Sequence, residues 1–145
     1  MTHEPFIELS AAELAKQAGF DWNCNHYYFT QIGKTELKSD FRHPAQNYNE
    51  QMATIDSKSF EFEACSCPTQ SVLQKWLREV KGMSVEVCHV IVWVEGGTLG
   101  IKWCYRICYL NSNESDILPS DEFDTYEAAL EAGLQKCLTL LIEKQ

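Results

Sequence analysis

The chain has 145 residues, of which 45% are hydrophobic and 23% are charged, and its formal net charge is −9 at pH 7. This is the composition of one globular domain with a core of its own, and it excludes disordered and fibrous chains. The acidity argues against a nucleic-acid-binding protein, whose footprint is a basic patch. Because the first residues lack a basic segment followed by an apolar one, and no apolar run is as long as a membrane span, we expect a cytoplasmic protein without a membrane anchor.

Three segments repeat apolar residues with the period of a helix. The first begins after Ser10 as N-cap, with Glu13 completing a capping box, and the second follows Thr69 as N-cap. The third begins after Asp124 or Thr125 and has the clearest pattern. Its small or apolar residues are Ala129, Leu130, Gly133, Leu134, Cys137, Leu138, Leu141 and Ile142.

Strands are predicted where β-branched and aromatic residues cluster or alternate. Residues 26–32 and 59–64 have this character, and the polar stretch 33–58 between them predicts a loop or insertion. Residues 84–94 and 99–110, separated by Gly96 and Gly97, predict a β-hairpin. The whole is expected to be a single α+β domain over residues 1–145. It would contain an antiparallel sheet of about four strands with a central hairpin, and three helices packed mainly on one face.

The hairpin has two unlike faces if Glu95 pairs with Thr98. The apolar face, predicted to belong to the core, then carries Cys88, Val90, Val92, Val94, Leu99, Ile101, Trp103, Tyr105 and Ile107. The other face carries the candidate binding residues His89, Trp93, Lys102 and Arg106, beside Val87, Ile91, Cys104 and Cys108. Aromatic rings and cations together suit a nucleotide or an acidic protein surface. A loop longer or shorter by one residue would exchange the face of one strand.

The seven cysteines raise the question of a metal site. The strongest ligand candidates are Cys24, His26, Cys65 and Cys67, with His43 as a further donor, because zinc prefers sulfur and nitrogen. Each pair is separated by one residue rather than the usual two to four or so. The odd number of cysteines and the lack of an export signal favour reduced thiols, so neither a metal nor another cofactor is expected.

Three stretches carry a resemblance. They are Ala-Gly-Phe-Asp-Trp-Asn-Cys-Asn-His-Tyr-Tyr at 18–28, the segment from Cys-Pro-Thr-Gln to Val-Glu-Val at 67–87, and Thr-Tyr-Glu-Ala-Ala-Leu-Glu-Ala-Gly-Leu at 125–134. They resemble a family of small uncharacterised proteins of Bacteroides-type bacteria, their phages and mobile elements. The shared residues are helix caps and core stripes, so the resemblance implies accessory biology without an activity to transfer.

Two classes of function stay open. The absence of a catalytic motif, the small size and the acidity favour a non-enzymatic accessory protein that binds another protein, or a second copy of the chain through the hairpin. A thiol nucleophile would need His89 to activate Cys104 or Cys108, but thiols also fill small spaces on a sheet. The alternative function is a small-molecule or nucleotide-binding protein that holds an anionic ligand on the outer hairpin face.

Overall fold

The computed structural model describes residues 4–31, 33–42, 44–50, 62–117 and 119–145. Its helices are α1 (Leu9–Gln17), α2 (Gln70–Trp76), which continues as a π-helical turn (Leu77–Lys81), and α3 (Tyr126–Glu143). Its strands are β1 (His26–Gln31), β2 (Lys34–Ser39), β3 (Phe62–Ser66), β4 (Met83–Val94) and β5 (Thr98–Tyr109). The prediction of an α+β fold with three helices and antiparallel pairing is confirmed.

The described strands form two sheets where the sequence predicted one sheet of about four strands. The order is β2-β1-β3 in the first sheet, and the second is the β4-β5 hairpin. Buried side chains from all three helices, from β3 and from the hairpin join in one cluster. The two sheets therefore share a core although no strand pairing links them among the described residues.

Strand β2 lies within the stretch predicted as a loop. All six of its residues are exposed, so it has no buried face to mark it in the sequence. Gly33, with φ 74°, makes the turn from β1, and the hydroxyls of Thr30 and Thr35 hydrogen-bond across the two strands at 2.8 Å. The position of β2 is therefore determined by its backbone hydrogen bonds to β1. No pattern of apolar residues in its sequence contributes to it.

Two residues near the middle of the same stretch, Tyr48 and Asn49, are also packed. Tyr48 is buried and its ring stacks on Tyr27 with centroids 4.1 Å apart. The Asn49 side chain donates to the carbonyl of Phe20 and accepts from the amide of Ser66, both at 2.9 Å. Residues 51–58 of the predicted loop lie outside the described residues.

Helix α3 contacts both the hairpin and the other two helices. Its buried residues are Ala129, Leu130, Glu131, Gly133, Leu134, Cys137 and Leu138. Six of the eight predicted stripe residues are thus buried, and the last two, Leu141 and Ile142, are partly buried. The N-cap is Thr125, whose hydroxyl accepts from the amide of Ala128 at 3.0 Å. Burial of each such leucine contributes roughly 1.5 to 3 kcal/mol.

The start of α1 differs from the prediction because a distant side chain replaces the local cap. The helix begins at Leu9, and its N-cap residue, Glu8, makes no side-chain cap. The amide of Glu8 donates instead to the buried carboxylate of Glu131, at 3.0 Å. The predicted capping box of Ser10 and Glu13 is therefore wrong, since α3 supplies the acceptor.

Helix α2 starts as predicted and then widens. The Thr69 hydroxyl accepts from the amide of Val72 at 3.4 Å, and Gly82, with φ 68°, ends the π-helical turn. Val80 continues the helical spacing of the apolar residues Leu73, Trp76 and Leu77, yet it is 50% exposed. A π-helical turn has more residues per turn than an α-helix, so it rotates this side chain away from the core.

Candidate functional site

The loop of the hairpin decides where the candidate residues lie. Val94 pairs with Thr98, so residues 95–97 form a three-residue loop. The amide of Gly97 donates to the carbonyl of Val94 at 3.3 Å, and Gly96 and Gly97 both have positive φ, 90° and 76°. The expected pairing of Glu95 with Thr98 is therefore wrong by one residue.

This shift moves β4 residues to the face opposite the predicted one. What we call the helix face carries Val85, Val87, His89, Ile91 and Trp93 with Leu99, Ile101, Trp103, Tyr105 and Ile107. What we call the thiol face carries Ser84, Glu86, Cys88, Val90, Val92 and Val94 with Thr98, Gly100, Lys102, Cys104, Arg106 and Cys108. His89 and Trp93 thus lie on the helix face, and Lys102 and Arg106 on the thiol face. The predicted surface of these four residues is not formed.

Helix α3 covers only the inner half of the helix face. Val85 and Ile107 are fully buried, and Gly133 of α3 lies against Val85 and Tyr105. At the start of α3, the ring of Tyr126 meets that of Trp103 edge to face, with centroids 5.6 Å apart. The helix begins at this level, so the helix face continues outward without a layer above it among the described residues.

Large apolar side chains occupy that outer half and are exposed. They are Ile91 (67% exposed), Trp93 (76%), Leu99 (61%) and Ile101 (60%), and we call them the hairpin-end surface. Together they expose on the order of 500 Å², comparable with the largest apolar patch of a typical monomer, which is often functional. Register makes the patch continuous, because Ile91 faces Ile101 and Trp93 faces Leu99 across the strands.

The two cations of the thiol face already have partners. The Lys102 ammonium donates to the carboxylate of Asp124, and Arg106 Nη2 donates to Glu86 Oε2 at 2.6 Å. The hydrogen bond to Asp124 and its charge raise the pKa of Lys102, and the same contact lowers the pKa of Asp124. Both cations of the thiol face are therefore paired with nearby carboxylates.

Two cysteines of the thiol face meet across the strands. Cys88 pairs with Cys104, and their Sγ atoms lie 3.8 Å apart. Cys88 is exposed and Cys104 is 3% exposed. Burial raises the pKa of the Cys104 thiol, and its hydrogen bond with Cys88 adds to this. The predicted register placed these two residues on opposite faces, so sequence reasoning missed the pair. A three-residue loop was the signal that could have revealed it.

The four metal-ligand candidates make other contacts. Cys24 Sγ lies 3.7 Å from the carbonyl oxygen of Trp22, and Cys67 Sγ lies 3.6 Å from that of Ile7. Burial raises the pKa of Cys24 to about 11 and that of Cys67 to about 12. Cys65 is also buried, and burial raises its pKa.

The fourth candidate, His26, lies between aromatic rings. Its centroid is 4.3 Å from that of Phe6 and 5.3 Å from that of Phe41. In the described part of the chain, no three or more His, Cys, Asp or Glu side chains form a group that could hold a metal ion. His43, the further donor considered, lies outside the described residues.

The fold and this site define an α+β protein whose hairpin extends an apolar face beyond its core. No helix in the described ranges is long and apolar enough to cross a membrane. Comparison of the chain with protein-family models, with curated proteins and with solved structures found no match.

Proposed function

We propose that this is a non-enzymatic accessory protein of the cytoplasm that binds another protein through the hairpin-end surface. The observation that carries the proposal is the 60–76% exposure of Ile91, Trp93, Leu99 and Ile101 on one continuous face. A contiguous apolar patch of this size on a protein surface is often an interaction site. Trp93 supplies the type of side chain that most often dominates binding energy.

The energetics of the surface suit a partner of moderate size. Removing about 500 Å² of apolar surface from water contributes on the order of 12 kcal/mol. Association costs about 4 to 15 kcal/mol in lost freedom, so polar contacts at the rim must supply the rest of the affinity. The inner half of the hairpin is fixed against α3, so the surface is held in place before binding, which limits the cost of ordering it.

Charge indicates the chemistry of that partner. Three acidic residues near the hairpin form no ion pair within the described residues. Two of them, Asp121 and Glu122, lie beside β5, and the third, Glu127, lies in the first turn of α3. Asp121 is close enough to Tyr105, on the helix face, to help raise its pKa after the larger effect of burial. A partner with apolar side chains rimmed by lysine or arginine would complement this edge. A second copy of the chain, with its own charge of −9, would be repelled.

Two further observations support the cellular setting of the proposal. All seven cysteines are free, as suits a reducing compartment. The resemblance to small proteins of Bacteroides-type bacteria, their phages and mobile elements supports an accessory role linked to such elements.

The experiment compares capture of partners by the wild-type protein and by a Trp93→Thr, Ile101→Thr double variant. Threonine keeps the strand propensity and removes most of the apolar surface. Leu37→Thr is the matched control, because Leu37 is 46% exposed on β2 in the other sheet. A partner captured from host lysate should then be purified and its affinity measured by calorimetry at two salt concentrations.

We expect the double variant to lose at least tenfold in affinity and the control to keep it, with weaker binding of the wild type at high salt. Circular dichroism checks that each variant is folded. Equal affinity of the double variant would refute the proposal. A wild type that sediments as a dimer, with a monomeric double variant, would assign the surface to a second copy instead.

A further inference from the structure

The thiol face contains a side-chain pair that the proposed function does not use. Cys88 and Cys104 are direct partners in the register, with Sγ atoms 3.8 Å apart. Neither is bonded covalently, since all seven cysteines are free. The two sulfur atoms are therefore neighbours, and a disulfide bond would bring them to about 2.05 Å.

The hydrogen bonds on the edge of β5 that faces away from β4 establish which way the backbone groups of Cys104 point. Trp103 exchanges backbone hydrogen bonds with Phe123 at 2.8 and 2.6 Å, so its N–H and C=O point away from β4. Cys104, the next residue, therefore directs its N–H and C=O toward Cys88. In such a hydrogen-bonded pair the Cα atoms lie about 5.5 Å apart, inside the range of roughly 4.4 to 6.8 Å that disulfides span. The Cα separation therefore permits a disulfide, and a small approach of the two strands completes the bond.

The position of Cys88 and Cys104 in a hydrogen-bonded strand pair also makes a disulfide between them easy to reduce. Cβ atoms in hydrogen-bonded pairs lie about 5.5 Å apart, whereas a relaxed disulfide prefers roughly 3.5 to 4.5 Å. A disulfide here is strained, and strained or exposed disulfides are the ones that are readily reduced. Reversibility is therefore built into the position of the pair.

Access differs between the two thiols. Cys88 is exposed, so a soluble reagent reaches it, while Cys104 is 3% exposed behind it. This is the arrangement of an attacking thiol and a resolving thiol.

We propose that Cys88 and Cys104 are a reversible disulfide site for low-molecular-weight disulfides. The Cys88 thiolate attacks one sulfur of the small disulfide, forms a mixed disulfide and releases one small thiol. Cys104 then loses its proton and attacks the Cys88 sulfur, which releases the second small thiol. One small disulfide is reduced to two thiols, and the two cysteine thiols are oxidised to one disulfide.

The site lies where the covered half of the hairpin meets the exposed half. Cys88 follows Val87, whose partner Tyr105 contacts α3, and precedes His89, whose partner is Trp103. Just outward of the pair, Trp103 bridges to Phe123 and Lys102 contacts Asp124, and pairing between β4 and β5 continues from there to the loop. A disulfide here clamps the base of the outer half and so slows its opening.

The test uses the full chain, incubated under native conditions with excess oxidised glutathione, quenched by acid, and counted for thiols after unfolding. The count should fall by two from seven, and peptide mapping should find Cys88 linked to Cys104. Cys104→Ser should lose one thiol only and gain the mass of one glutathione. Cys108→Ser is the matched control, because Cys108 is also buried on this face but faces Ser84, and it should form the same link.

Hydrogen exchange on the wild type provides the second readout. The amides of Val90 and Lys102, which bond across the strands, should exchange at least threefold more slowly after oxidation, and dithiothreitol should reverse the change. A thiol count that stays at seven, a link between other cysteines, or glutathione retained on Cys88 in the wild type would each overturn the disulfide site. Unchanged exchange in the linked protein would overturn the clamp.

Discussion

The contact between α3 and the hairpin gives a sharp prediction at Gly133. A Cβ atom added there would lie 2.7 Å from Val85 Cγ1 and 2.9 and 3.0 Å from Cγ and Cβ of Tyr105. Val85 is fully buried, and the Cβ of Tyr105 cannot rotate away from its own backbone. Gly133→Ala therefore forces the helix and the strands apart.

The magnitude follows from two opposing effects. In an open helix, glycine to alanine stabilises by about 1 kcal/mol. Overpacking a tight interface costs about 1 to 3 kcal/mol, and close contacts with the fully buried Val85 and with the Cβ of Tyr105 place Gly133→Ala in the upper part of that range. We expect a net loss of about 1 to 2 kcal/mol, and hence a fall in Tm of about 3 to 6 °C.

Gly100→Ala is the matched control. Its added Cβ would meet Val94 Cγ1 at 2.8 Å, nearly the same distance. Val94, however, is 37% exposed near the hairpin loop, so its methyl group has room to rotate away. Urea and thermal unfolding should show Gly100→Ala at least as stable as the wild type. If Gly133→Ala proves as stable as Gly100→Ala, the close approach of α3 to the hairpin is not rigid and the reasoning fails.

Three further predictions test burial. Trp76→Ala, at a fully buried ring, should cost about 3 to 5 kcal/mol of stability, whereas Trp93→Ala, at a 76% exposed ring, should leave urea unfolding unchanged within error. Glu131→Leu should lower Tm more than Glu131→Gln, because leucine leaves the donors around this buried position without an acceptor, and equal losses would contradict this. A thiol reagent at pH 8 should label the exposed Cys88 first and Cys137 only on unfolding. The reason is that Cys137 is buried, which raises its pKa to about 12. Early labelling of Cys137 would show that the core opens.

The sequence was most informative where one signal acts alone. Helix α3 repeats its apolar residues over several turns, and Thr69 sits directly before an apolar stripe, so burial and capping were both predicted. The sequence was least informative where a side chain far away along the chain determines the local structure. The carboxylate of Glu131 starts α1 in place of Ser10, and this contact spans 123 residues. No local pattern contains such a contact.

Strand β2 shows a second limit of the pattern. Periodicity detects a strand through its buried face, and β2 has none. Its pairing with β1 rests on the turn at Gly33 and on backbone hydrogen bonds, for which Lys34–Ser39 needs only an extended conformation. A polar stretch can therefore be a loop or an exposed edge strand with nearly the same composition.

The hairpin was misassigned for a different reason, which bears on its function. Strand β4 carries apolar residues on both faces, such as Val90 on one and Ile91 on the other, so alternation fits either register. Packing against α3 needs only the inner part of the helix face, where Val85 and Ile107 are fully buried. Among the described residues, the apolar side chains of the hairpin-end surface lie beyond α3 and expose a continuous patch to water. They add little to the folded core, which agrees with the proposal that they contact a partner.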